Sequence, residues 1–263
     1  MTLYTSTIKN SDPSKPWLMM VHGVSQDSRI FSKQVDDFKA YFNLLLVDLP
    51  GHGQSASMDG PYGLLEFSEN LKLAQDKAKI TSSHFLGTHL GAGAGLLLAA
   101  HSPERINSLV LEAPVLPGHA LPSVANTLTK VREAANSKGI ETARKIWIEE
   151  SEWFAVIRNN PTECRAQEQW DIIEHFSGKP WLDQNLASPI ESIDELLTTL
   201  KIPALIFNGE YDLADFRTAA NKISRLLKHS QQIIIPNGGG FPLWEYPTIV
   251  NEHVLNFYKN TVL

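Results

Sequence analysis

Six short, uninterrupted apolar runs constrain this chain more than any other feature: 17–21, 43–47, 83–86, 108–111, 203–207 and 232–235. Each is too short for a helix and lacks the in-and-out alternation of a half-exposed strand, so each reads as a strand buried on both faces. Between them, 62–79 and 90–101 carry apolar residues at helical spacing. Such alternation implies an α/β fold, a mostly parallel sheet with right-handed crossovers and helices on both faces. A weaker alternating stretch, 4–8, fits an edge strand ahead of the Asp12-Pro13 turn. From 117 to 200 the pattern changes: no buried-strand run occurs, and helically spaced aromatic residues dominate, among them Trp147, Trp153, Trp170 and Trp181. The expected organisation is a core of 1–116 and 201–263, interrupted by a helical cap, 117–200, lying as a lid over the carboxyl edge of the sheet.

Composition narrows the partners. With 263 residues and 43% apolar content, the chain can fill a large core without staples. Its net charge of -6, with the two signs interspersed, offers no basic face to nucleic acid. Cys164 is the only cysteine, which excludes an internal disulfide and a cysteine-rich zinc site. The opening residues lack a basic-then-apolar leader pattern, and no apolar run approaches the roughly 20 residues that span a bilayer. A cytoplasmic monomer or homodimer that binds neither membrane nor nucleic acid is the expectation.

The run 83–86 leads into Gly87-Thr88-His89-Leu90-Gly91 and then an apolar helix. Strand, glycine-flanked turn and helix in that order match a nucleophile elbow, Gly-x-Ser-x-Gly, whose strained turn projects its central residue into a pocket. His89 stands where that pattern has serine.

With this elbow the chain resembles the α/β-hydrolase superfamily over nearly its whole length. His22-Gly23 follows a strand, and Asp48-Leu49-Pro50-Gly51-His52-Gly53-Gln54-Ser55, Pro103-Glu104-Arg105, Gly209-Glu210-Tyr211-Asp212 and the glycine-rich 236–247 segment follow in the family's order. The resemblance implies a triad of Ser, Asp or Glu, and His, with an oxyanion hole of two backbone N–H groups. Transferred position by position, the donors are the amides of Val24 and Leu90 and the acid is Asp212. Gly240 replaces the histidine of the family's closing Gly-His-x-Pro motif, and Thr88 stands where members often carry histidine. Three departures in one site, inside ordinary supporting motifs, point to a site rebuilt by design or selected for a new reaction.

A serine hydrolase needs a hydroxyl activated by an imidazole that an acid orients, and this sequence cannot supply that arrangement. Gly240 is expected to leave room for the His89 ring to extend toward Asp212, giving a dyad, direct or through one water, beside the oxyanion amides. His89 would then attack a small activated carboxylic ester as nucleophile, or serve as general base for water. An imidazole of pKa about 6.5 suits both roles near pH 7. Two other readings stay open: a non-catalytic protein that keeps the pocket for a small molecule, and a cofactor-free lyase or oxygenase in which His89 abstracts a proton. Ser25, Gln26, Thr88, Gly240, Phe241 and Trp244 are the expected pocket residues, joined by a few cap aromatics, around a small apolar or aryl-ester-like molecule. His22, His52, His84 and His101 fit packing or capping, and no spacing assigns His119 a role. No histidine pair has a nearby carboxylate at metal-site spacing, and Gly91, Gly93 and Gly95 lack a phosphate-binding frame. Neither metal nor cofactor is expected.

Overall fold

The computed structural model describes residues 3–185 and 187–261. Seven strands, β1 (Thr5–Ile8), β2 (Trp17–Val21), β3 (Asn43–Val47), β4 (Ser83–Thr88), β5 (Ile106–Glu112), β6 (Ala204–Gly209) and β7 (Ser230–Ile235), form one sheet in the order β1-β3-β2-β4-β5-β6-β7. β1 runs antiparallel to β3, and the other pairs are parallel. The helices are α1 (Ser32–Phe38), α2 (Leu64–Lys77), α3 (His89–His101), α4 (Pro122–Lys138), α5 (Ile140–Glu150), α6 (Ala155–Asn159), α7 (Ala166–Glu174), α8 (Lys179–Leu182), α9 (Asp194–Thr199), α10 (Ala214–Leu226), α11 (Pro242–Glu245) and α12 (Pro247–Thr261).

The uninterrupted apolar runs have a simple cause. Successive side chains of a strand point to opposite faces, and here both faces are covered. Leu18, Met20, Leu44 and Leu46 enter one core, while Met19, Val21, Leu45 and Val47 enter the other. The first core is closed by Phe38 of α1 and by Val250, Val254 and Tyr258 of α12. The second is closed by Phe67 and Leu71 of α2, Leu96 of α3 and Ile223 of α10. Burying one such aliphatic or aromatic side chain contributes roughly 1.5–3 kcal/mol, so the two layers dominate the stability of the sheet. One polar tie crosses the first core: Gln34 Nε2 donates to the Leu243 carbonyl at 3.0 Å and to Asn251 Oδ1 at 2.9 Å, joining α1 to α11 and α12.

The apolar pattern around Phe31 and Phe38 resolves into two elements. Asp27 accepts a hydrogen bond from the Arg29 amide and starts a 3-10 turn, Ser28–Phe31, before α1. Between β5 and β6 the described residues contain helices α4 to α9 and no strand, yet β5 and β6 are paired neighbours, Leu109 opposite Ala204 and Glu112 opposite Phe207.

Candidate functional site

β4 passes directly into α3 at His89, whose φ is +46°. A non-glycine residue in this left-handed region costs about 1–2 kcal/mol, so the surroundings must enforce it. The enforcement is close approach. A Cβ on Gly91 would lie 2.4 Å from the His22 carbonyl oxygen and 2.5 Å from that of Val21, so only glycine lets the first turn of α3 settle under the end of β2. The loop after β2 is fixed in turn by His22. Its Nδ1 donates to the Gly23 carbonyl at 2.7 Å, and its Nε2 accepts from the Leu49 amide at 3.0 Å. Burial lowers the pKa of this ring and keeps it in the neutral form that both bonds require. The amides of Val24 and Leu90 make no hydrogen bond among the described residues, and both residues line a cavity over the elbow. Free N–H groups at such a turn are what a carbonyl or carboxylate oxygen needs.

The His89 ring sits in an aromatic enclosure. Its centroid lies 4.9 Å from those of Phe216 and Phe241 and 6.0 Å from that of Trp153. Neither ring nitrogen has a hydrogen-bond partner among the described residues, and both are shut off from solvent. Burial pushes the imidazole down to about 3; the Gly240 backbone favours the protonated ring slightly, without reaching hydrogen-bond geometry. Asp212 is occupied elsewhere: Oδ2 accepts from Asn208 Nδ2 and Oδ1 from the Leu213 amide, each at 2.7 Å. The direct form of the expected dyad is therefore not made. Gly240 does not leave the room that it requires. A Cβ at that position would lie 2.8 Å from the Trp153 carbonyl oxygen and 2.9 Å from its Cδ1, so the Glu152–Phe154 turn has filled the space. Trp153 also stacks on Phe216 at 5.4 Å.

Two further carboxylates are buried near Asp212. Glu245 accepts from the Gly239 amide at 2.6 Å and the Phe241 amide at 3.3 Å, while Glu112, the last residue of β5, accepts from the Leu243 amide at 2.6 Å. Burial pushes Asp212 and Glu245 each up to about 7, and raises Glu112 well above the usual carboxylate range, with the neighbouring carboxylates adding to it. Proton affinity is thus inverted relative to a triad: these carboxyls take up a proton at higher pH than the imidazole does. A protonated acid cannot stabilise an imidazolium. The sequence signal for Glu112 is a charged residue ending an apolar strand. Glu245 has no comparable mark.

The cavity has a volume of about 230 Å³, below the ~300–1,000 Å³ typical of drug-sized ligands. Phe216, Phe241, His89 and the two free-amide residues meet Trp147, Trp153 and Trp181, from the segment between β5 and β6, around it. Of the six expected pocket residues, Phe241 is in the lining; Ser25, Gln26, Thr88, Gly240 and Trp244 are not. Ser25 Oγ accepts from Trp147 Nε1 at 2.8 Å. Gln26 Oε1 and Thr88 Oγ1 are buried without partners and pack beside Gly23, within 3.4 Å of where its Cβ would lie. Trp244 donates to the Cys164 carbonyl at 2.6 Å, and the Arg165 guanidinium lies 3.9 Å over its ring, so it ties α11 to the start of α7. Val124, Leu128 and Arg132 also line the cavity. They stand four apart on α4, and this spacing was the available signal for a lining stripe. His119 meets Asp194 at 2.9 Å, and Lys222 meets the same carboxylate at 2.6 Å, joining the loop after β5 and the start of α9 to α10. Among the described residues no group of three or more His, Cys, Asp or Glu could hold a metal ion, and no helix is long and apolar enough to cross a membrane.

Similarity to known proteins follows this architecture. The family described as α/β hydrolase fold matches residues 16–142. An uncharacterized carboxylesterase of Bacillus subtilis is 24% identical over 97% of this chain and 83% of its own. The enol-lactonase of Burkholderia xenovorans LB400 superposes with a TM-score of 0.82 at 18% identity, covering 98% of this chain and 96% of the other. MenH from S. aureus gives 0.81 at 24% identity, covering 99% of each. At such identities the superpositions establish a shared fold and no more. Sheet order, elbow and matched sequence agree: the chain has the α/β-hydrolase fold, and its residues 16–142 match the α/β-hydrolase family.

Proposed function

We propose that this protein is a small-molecule-binding member of the superfamily, one that keeps a hydrolase-like cavity without serine-hydrolase turnover. The observation that carries this reading is the state of His89, packed among Phe216, Phe241 and Trp153 with both nitrogens buried and unpartnered. A nucleophile or base must come within about 3 Å of the reacting atom, and these nitrogens are closed to any ligand in the cavity. The raised proton affinity of buried Asp212 supports the same conclusion. The Val24 and Leu90 amides stay available to a ligand oxygen, so recognition outlasts the lost chemistry. The fit of Trp153 against Gly240 supports a site that changed together with its cap.

One observation favours a second reading, hydrolysis of activated esters through His89. The imidazole is neutral near pH 7 and stands beside both free amides. Rotated out of its enclosure, it would serve as a general base for water or abstract a proton from a ligand. Hydrolysis of 4-nitrophenyl acetate by the protein and by His89→Ala separates the two readings. The binding reading expects equal background rates and no fluorophosphonate adduct on either protein. A burst absent from the variant, or a steady rate about a hundredfold above it, would establish the esterase instead.

A further inference from the structure

The polar complement of the cavity is one-sided. Among the described residues no acidic side chain lines it, and the one formally charged lining residue is Arg132, exposed at the end of the Val124, Leu128, Arg132 stripe of α4. Arg132 takes part in no ion pair among the described residues. The indole N–H groups of Trp153 and Trp181 are buried without acceptors. The Tyr62 hydroxyl donates to the Met58 carbonyl at 2.8 Å. With the Val24 and Leu90 amides, the lining offers mostly N–H donors; among the described side chains its acceptors are the Tyr62 hydroxyl oxygen and the enclosed imidazole. Aromatic walls by themselves would also suit an ammonium cation. A guanidinium at the edge and the lack of any lining carboxylate decide against one, because a cation there would meet repulsion and no counter-charge.

We propose that the ligand is a small apolar monocarboxylate that also carries a carbonyl oxygen. Its carboxylate pairs with Arg132, its carbonyl oxygen accepts from the Val24 and Leu90 amides, and its apolar body fills the space between the aromatic walls. The cavity volume of about 230 Å³ keeps that body small. This assignment rests on reading the cavity as a binding site, and the test keeps the two apart.

Three ligands of similar size serve as probes: 4-oxo-4-phenylbutanoate, its methyl ester, which keeps the shape and loses the charge, and phenethyltrimethylammonium. Binding is followed by tryptophan emission, since Trp147, Trp153 and Trp181 surround the cavity. The acid is expected to bind about tenfold more tightly than the ester, as a charge-assisted hydrogen bond provides, with the advantage shrinking as salt rises. Arg132→Gln should bring the acid to the affinity of the ester and leave the ester unchanged; Arg132→Lys should keep part of the preference. Equal binding of acid and ester, a preference that survives Arg132→Gln, or tighter binding of the ammonium would overturn the assignment. Binding of the ester, abolished by the cavity-filling Leu128→Trp, reports on the cavity alone. No binding of any probe at millimolar concentration would overturn both proposals.

Discussion

The two sides of the candidate site share one sheet edge and respond differently to substitution. On the elbow side, geometry belongs to the backbone: φ of +46° at His89, the approach of Gly91 to two β2 carbonyls, and the His22 bridge between loops. That geometry is present although histidine stands in place of serine. On the side of 236–246, the resembled site depends on a side chain, and there Gly240 has been met by Trp153 while buried carboxylates hold the loop amides. Backbone features made by close approach are indifferent to what they display. A feature made by one side chain disappears with it, and dense packing brings in a neighbour.

The sharpest way to break this comparison is Gly91→Ala. Its Cβ meets main-chain oxygens that cannot yield, so a loss of about 3–4 kcal/mol is expected in denaturant unfolding; a loss under about 1 kcal/mol would show that the elbow is not held by contact. Gly240→Ala tests the other side. The opposing Trp153 carbonyl belongs to a short turn, Glu152–Phe154, which can move, so the expected loss is about 1–2 kcal/mol, accompanied by a shift in tryptophan emission.

The smallest effect is a slope. Asp212 and Glu245 titrate near 7 when folded and near 4 when unfolded. Between those values the folded state binds more protons, so their contribution is complete below about pH 4 and is lost as pH rises through about 7. His52 and His89, lowered to about 3, and His84, lowered to about 4, act oppositely, losing stability as pH falls below about 6.5. Asp212→Asn removes one carboxyl, and around pH 5–6 its stability-against-pH slope should be more positive than the parent's by about 1.3 kcal/mol per pH unit. Parallel slopes in urea midpoints across that range would show that Asp212 keeps an ordinary pKa.

The six apolar runs disclosed six of the seven strands: the five inner ones are covered on both faces, which favours continuous apolar residues, whereas β7 is an edge strand that leaves Ile234 exposed although its run looks the same in sequence. The elbow was legible because its glycines sit within a few residues of His89. Trp153 against Gly240 was not. It joins distant parts of the chain through the placement of a turn, and the absence of a ring at Gly240 suggests room only to a reader who ignores packing. The carboxylates are similar. Glu112 is visible as an oddity at a strand end, but its bond to the Leu243 amide depends on how the last loop folds back.

The pairing of β5 with β6 carries a kinetic consequence. All of α4 to α9 lies between these two strands, and joining ends across a segment of that length costs on the order of 4 kcal/mol in chain entropy. Helices with local contacts form sooner than such distant pairing. Refolding should therefore assemble β1 to β5 and β6 with β7 as separate halves beside partly formed helices of the intervening segment, with the β5–β6 seam closing late. His89 comes from one half, Phe216 and Phe241 from the other, and Trp153 from the segment between them, so the capacity to hold a ligand marks completion of the last folding step.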